Sequence, residues 1–300
     1  AVGRGFESLC SDSFFERMME NISNSWLVWD PSPVAFTLPF FQYPIFWYGI
    51  FFAVGFILGY FFLIQQLKRS YTSETAFFLV DRLVWMVVLG TVIGARLGVV
   101  IFYDWDYFLH HPTEIFQVWR GGLASDGGVL GILLALFLYH RSLKKRGFSL
   151  SFWQITDWLV LPAIFTGGLI RLGNWMNQEI LGLPSQVPWA IVLGHPADGS
   201  LPVPRHPVQL YEAGAYFILF ASLWWAESRY SWLKCCSGRL TAALFFFVFT
   251  ARVILEFWKA PQGGWSNEGI LQTGQWLSIP FVIFGGWLFW KSQTDAVALK

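Results

Sequence analysis

Seven apolar segments, each close to the ~20 residues an α-helix needs to cross ~30 Å of hydrocarbon, constrain this chain more than anything else in it. They run roughly over 45–65, 77–102, 121–140, 153–172, 208–227, 240–258 and 272–290. The composition agrees: 55% of residues are hydrophobic, 20% aromatic and only 13% charged, with a mean hydropathy of +0.48. This predicts an all-α polytopic membrane protein, a bundle of about seven transmembrane helices. The net charge of +1 speaks against a nucleic-acid partner. Cys10, Cys235 and Cys236 are too few and too clumped for a disulfide framework or a metal site, so no metal and no cofactor is expected.

Basic residues give the segments a direction. Lys68 and Arg69 follow the first span, Arg141, Lys144, Lys145 and Arg146 the third, Arg229, Lys234 and Arg239 the fifth, and Lys291 the seventh. The loops after spans two, four and six hold only Arg120, Arg205 and Lys259. The positive-inside rule then puts the N-terminus outside and the C-terminus in the cytoplasm. Residues 1–43 read as a polar extension and lead-in broken by Pro31, Pro33 and Pro39, residues 44–291 as the seven-helix transmembrane domain, and residues 292–300 as a cytoplasmic tail. The loop 180–207 contains six prolines and is expected to form a small outer-face head, the alternative being a loose linker.

Counting 1.5 Å per residue along each span places its polar residues by depth. Tyr48, Arg96, Ser125, Asp126, Arg171, Asn174, Glu179, His206, Arg252, Glu256 and Gln275 all fall in the outer third. Arg252, Glu256 and Lys259 share a helix face at i, i+4 and i+7. Ionised groups at membrane depth are costly unless paired or wetted, and by default they point to function. Arginines in an apolar bundle, beside glycine-rich helix starts with free N–H groups, suit an anionic, oxygen-rich group, and a phospholipid headgroup is the candidate at this depth. A membrane transporter or binding protein for an anionic lipid or small anion is the alternative, although the one-sided polar layer offers no pathway to the inner face.

The stretch Arg171-Leu-Gly-Asn-Trp-Met-Asn-Gln-Glu179 resembles the G-R-x-G-N-x-x-N-x-E signature of bacterial prolipoprotein diacylglyceryl transferases, with Ile170 in place of the leading glycine. Six further stretches resemble that family's motifs in order: residues 43–49, 94–98, 121–128, 205–212, 252–256 and 274–280. The resemblance implies transfer of the sn-1,2-diacylglyceryl group of phosphatidylglycerol to the lipobox cysteine of a prolipoprotein, releasing glycerol 1-phosphate. It also implies a place in the bacterial cytoplasmic (inner) membrane, with the active site toward the outer face. The partners it implies are phosphatidylglycerol, prolipoproteins and membrane lipids.

Roles carry over residue by residue. Arg171 is expected to hold the lipid phosphate, the alternative being an arginine that pairs with Glu179 to fasten helices. Arg252 is expected to stabilise the leaving glycerophosphate, or else to pair with Glu256. Asn174, Asn177 and Glu179 are expected to orient the arginine and the glycerol hydroxyls, with Arg96, Glu256 and Gln275 also lining the lipid site. Tyr48 is a candidate hydrogen-bond donor to the headgroup. Where the family usually has histidine before the paired glycines of the third-span motif, this chain has Asp126. Asp126 and His206 are therefore the two candidate proton acceptors for the thiol. Asp157 also matches a family position, but it lies ~21 Å from Arg171 along one helix and reads as a structural or helix-start carboxylate.

Overall fold

The computed structural model describes residues 26–39, 42–118, 122, 124–230, 233, 237–261 and 271–298, leaving aside the side chains of Ser125, Asp126 and residues 293–298. Cys10, Cys235, Cys236, Arg120 and Lys234 lie outside the described residues. The chain is mostly helical. Among the described residues the helices are α1 (Trp47–Leu67), α2 (Ser73–Phe102), α3 (Trp105–His110), α4 (Ser125–Lys145), α5 (Phe152–Met176), α6 (Val208–Arg229), α7 (Arg239–Leu255) and α8 (Thr273–Ala298). Short 3₁₀ turns occupy Pro112–Phe116 and Glu256–Trp258. Apart from the short α3, each helix coincides with one of the seven apolar segments. Among the described residues, four are both long and apolar enough to cross a membrane: α1, α2, α5, and α7 continued through its 3₁₀ turn to Trp258.

Among the described residues, five short strands lie in the connections: β1 (Leu27–Trp29), β2 (Val34–Leu38), β3 (Tyr43–Phe46), β4 (Ile191–Leu193) and β5 (Pro204–Arg205). The chain divides into two compact units. The first comprises residues 1–56, 164–225 and 244–286. In it, β4 is the centre of a three-stranded sheet, with β1 parallel on one side and β5 antiparallel on the other. The lead-in segment thus supplies an edge strand to the long loop, while β2 and β3 pair as a hairpin. Beneath the sheet, Trp175, Leu181 and Leu193 form a buried cluster with Trp29, Ile191 and Leu210. Trp29 stacks on Trp175 with ring centroids 5.1 Å apart and donates its Nε1–H to the Trp175 carbonyl at 3.2 Å. Strands of two to five residues have too little alternation to be read from sequence.

The second unit comprises residues 57–163, 226–243 and 287–300. Its centre is a seam of small residues between α2 and α4. Gly90, Gly94 and Gly98 recur every four residues on α2, and Gly127, Gly131 and Ala135 do so on α4, which lets the two backbones touch. A Cβ on Gly90 would sit 2.6 Å from the carbonyl oxygen of Gly131, and one on Gly98 would sit 2.7 Å from the Cα of Gly127. The Ala124 N–H at the head of α4 donates to the Ala95 carbonyl of α2 at 3.0 Å.

Two charged side chains hold this unit's connections. Arg96 donates to the carbonyls of Ile115 at 2.9 Å and Gly122 at 3.1 Å, donates also to that of Glu114, and lies over the Phe108 ring. Asp157 accepts the N–H groups of Gly238 (2.6 Å) and Thr241 (2.8 Å) and the Thr241 hydroxyl (2.6 Å). Those N–H groups open α7 and lack intrahelical acceptors, so Asp157 caps that helix from α5.

Candidate active site

The site is built where α5 stops. After Met176 the chain turns through Gln178 and Ile180, both with positive φ (52° and 57°) although neither is glycine. Side chains seldom adopt this conformation, which costs on the order of 1 kcal/mol or more and persists only where surroundings enforce it. Here Gln178 is held from three sides: its Nε2 donates to Asp30 Oδ1 (3.0 Å), its Oε1 accepts the His195 N–H (2.7 Å), and its carbonyl accepts the Ala197 N–H (3.0 Å). The turn folds Glu179 back over the last turn of α5. There Glu179 Oε1 accepts from Asn174 Nδ2 at 2.6 Å and from Asn177 Nδ2 at 3.3 Å.

Arg171, one turn before Asn174, donates from an Nη to Asn174 Oδ1 at 3.1 Å. Its Nε faces Glu212 Oε2 of α6 at 3.1 Å, and Tyr216, one turn further along α6, also hydrogen-bonds the guanidinium. Glu212 is wholly buried, and its other oxygen meets Lys259 Nζ at 2.8 Å. That ammonium also reaches Glu256 Oε2 at 3.1 Å. Arg171, Glu212, Lys259 and Glu256 therefore form one chain of alternating charge through the apolar interior of the first unit. Arg171 pairs with Glu212 rather than with Glu179, whose described partners are the two amides.

The other expected residues divide. Tyr48 lies against Gly173 so closely that a Cβ there would be 2.9 Å from the ring, which accounts for the glycine of the signature. Arg252 sits over Phe249 at 5.9 Å, with its buried Nε hydrogen-bonded to nothing among the described residues. Asn177 Oδ1 is likewise buried without a partner. Gln275 is spent on the backbone: its Nε2 donates to the Val253 carbonyl (3.1 Å) and its Oε1 accepts the Gln272 N–H (2.9 Å), which ties the start of α8 to α7. His206 Nδ1 is 3.2 Å from the Tyr211 hydroxyl, whose oxygen accepts Trp189 Nε1–H at 2.6 Å. No hydrogen bond or ion pair joins His206 to Arg171, Glu179 or Glu212 among the described residues.

Arg96 and Asp126 belong to the second unit. The guanidinium of Arg96 serves the 114–122 connection, and Asp126 is the second residue of α4, with its side chain outside the described residues. Three residues emerge that sequence reasoning did not place in the site: Glu212, Tyr216 and Lys259. Glu212 closes the 205–212 motif and Lys259 ends the i, i+4, i+7 stripe, so both signals were present in the sequence. Their partners were not, because pairing across helices leaves no mark in one helix's spacing.

Within the first unit, Arg171, Arg252 and Lys259 face Glu179, Glu212 and Glu256, three positive groups against three negative. Among the described residues, two of the cations are bound to carboxylates, and Arg252 is not. Such an arrangement can take an oxyanion on Arg252 beside a fixed second guanidinium, with amides and carboxylate oxygens left to meet hydroxyl groups.

Comparison with known proteins accords with this chemistry. The family model of prolipoprotein diacylglyceryl transferase matches residues 33–291. A phosphatidylglycerol–prolipoprotein diacylglyceryl transferase of Chloroherpeton thalassium is 43% identical over 91% of this chain and 97% of its own. One of Protochlamydia amoebophila is 40% identical over 90% of this chain and 96% of its own, and one of Tolumonas auensis is 38% identical over 86% and 95%. The chain belongs to the prolipoprotein diacylglyceryl transferase family.

Proposed function

We propose that this protein transfers the sn-1,2-diacylglyceryl group of phosphatidylglycerol to the lipobox cysteine thiol of prolipoproteins, releasing glycerol 1-phosphate, the first step of bacterial lipoprotein maturation. The relatives' names support the reaction, and the observation that carries it to this chain is a buried cationic site in which one guanidinium, that of Arg252, has no carboxylate partner among the described residues. The transporter alternative gains no support from either.

The chemistry assigns tasks. A sulfur–carbon bond forms at the glycerol carbon while the carbon–oxygen bond to phosphate breaks, its electron pair leaving with the phosphate. Arg252 binds that phosphate and takes up its growing charge. Arg171, fixed by Glu212, Asn174 and Tyr216, supplies a second positive group that does not have to reorganise during the reaction. Asn177, with a free carbonyl oxygen, and Glu179 orient the headgroup hydroxyls, and Tyr48 donates to a headgroup oxygen. The thiol, with a solution pKa of about 8.5, must give up its proton. Asp126 and His206 are the two candidate acceptors in this reading, the latter with its Nδ1 3.2 Å from the Tyr211 hydroxyl.

In the same reading the helices form a seven-span bundle in the bacterial inner membrane, with N-terminus outside and C-terminus in the cytoplasm. The sheet of β1, β4 and β5 forms the head over the outer face, beside the active site. The distribution of basic residues over the loops supports this orientation. The test is incubation of the purified protein with phosphatidylglycerol and a lipobox peptide, followed by mass measurement. A diacylglyceryl adduct on the cysteine is expected, lost with Arg171→Ala and reduced less with Asp126→Asn; absence of the adduct from the unaltered protein would refute the assignment.

A further inference from the structure

The buried charges of the site pair in an order that helical spacing does not predict. Arg252 and Glu256 stand four residues apart, the distance at which an α-helix brings two side chains together. Yet Glu256 is held by Lys259 at 3.1 Å, and Arg252 has no ion pair among the described residues. The cause is local. α7 ends at Leu255 and the chain continues as the 3₁₀ turn Glu256–Trp258, where positions three apart eclipse each other. Lys259 caps that turn, its N–H bonded to the Glu256 carbonyl at 3.1 Å, and so its side chain comes over Glu256.

The same ammonium reaches Glu212 at 2.8 Å and is almost wholly buried. Lys259 thus claims two of the three carboxylates of the site, and the amides of Asn174 and Asn177 hold the third, Glu179. Among the described residues of the site, no carboxylate is left for Arg252. From this pairing we infer that Lys259 is a positioning residue, an internal counter-ion that keeps Arg252 open for the anionic headgroup of the lipid substrate. Without it, Glu212 and Glu256 would share Arg171 alone. A buried carboxylate without a partner is costly, and Arg252 is the cation one turn away from Glu256. Arg252 would close on Glu256, and the phosphate site would neutralise itself.

This inference rests on the reading that Arg252 binds the phosphate, and the experiment separates the two. The full chain in detergent is assayed for kcat and for KM toward phosphatidylglycerol in transfer to a lipobox peptide, as Arg252→Ala, Lys259→Met, Lys259→Arg, Glu256→Gln and the double variant Lys259→Met with Glu256→Gln. Lys259→Met is expected to raise KM by about tenfold or more, the loss of a hydrogen bond to a charged group, and Lys259→Arg to raise it far less. The double variant is the decisive arm. With no carboxylate at 256 to capture Arg252, its KM returns to within about threefold of Glu256→Gln alone, about half the free energy of a tenfold change. A merely structural lysine predicts the reverse, a double variant more damaged than either single one. Should Lys259→Met fail to fold, the double variant against Glu256→Gln still decides: loss of lipid affinity on adding Lys259→Met overturns the inference. An unchanged KM in Lys259→Met overturns it too, whereas an unchanged KM in Arg252→Ala overturns the reading of Arg252 beneath it.

Discussion

Replacing Glu212 by glutamine removes one charge from the centre of the site and nearly nothing else. The carboxylate is wholly buried, with Arg171 Nε 3.1 Å from one oxygen and Lys259 Nζ 2.8 Å from the other. At an effective dielectric constant of about 20, opposite unit charges at such distances attract by about 5–6 kcal/mol apiece before desolvation is subtracted. Desolvation has already been incurred by all three groups. Removing the shared anion leaves it in place for two cations, of which, among the described residues, only Lys259 has a second carboxylate. The net loss should therefore fall in the range for breaking a buried pair, about 3–5 kcal/mol. At about 2 °C per kcal/mol for a chain of this size, thermal unfolding in mild detergent should come down by about 6–10 °C. Transfer to a lipobox peptide should fall with it, measured well below the new transition, because the Arg171 guanidinium loses the group that fixes its Nε. A shift under about 1 °C with near-normal transfer would mean that these pairs are worth no more than exposed ones, and would refute the reasoning.

Gly274→Ala places a methyl group against the Glu256 carboxylate and should cost about 1–3 kcal/mol together with much of the transfer activity; Gly286→Ala, with nothing near its Cβ on the same helix, should be neutral or slightly stabilising in the same melting and transfer assays. Asp157→Asn replaces one acceptor oxygen by a donor at the start of α7 and should lower stability by about 1–2 kcal/mol, leaving KM for phosphatidylglycerol unchanged once assayed below the transition. Asp30 is held below the ordinary 3.8 of a carboxylate, first by its hydrogen bond with His195. A depressed folded-state value means that its contribution is complete above about pH 4 and is lost as pH falls through the lower folded value. Hydrogen exchange in β1 should therefore rise on acidification, and Asp30→Asn should remove that dependence; identical pH profiles for the two proteins would count against the clamp.

The helices were legible because hydrocarbon thickness and helical rise leave little choice: each of the seven apolar segments is a helix of the structure. Part of the candidate site was legible too, since Arg171, Asn174, Glu179, Arg252 and Glu256 announce themselves as polar residues in apolar sequence. What the sequence did not contain was who holds whom. Arg171 had Glu179 as a neighbour in the chain, but α6 brings Glu212 to it, and a bond between helices is set by packing that no single segment encodes. The i, i+4 rule failed for Arg252 and Glu256 because the helix tightens into a 3₁₀ turn at that point. Arg96 and Gln275 are polar at depth, and the structure adds that each bonds backbone groups where connections and helix starts leave them open. The residues before α1 looked like an appendage because a three-residue strand such as β1 takes its identity from its neighbour β4.

The glycine seam of α2 and α4 acts as a vernier. Backbone seated on backbone fits only where a glycine faces a carbonyl, and on each helix those seats recur every four residues, close to one turn or ~5.4 Å of travel. Intermediate settings would put the glycines of one helix out of register with those of the other and lose the close backbone contact. The helix pair therefore slides in whole turns or not at all. Asp126 precedes Gly127, which is seated between Gly94 and Gly98. The height of that aspartate along the bundle is set by the notch next to it, so a change of residue at 126 alters the chemistry offered there without altering where it is offered.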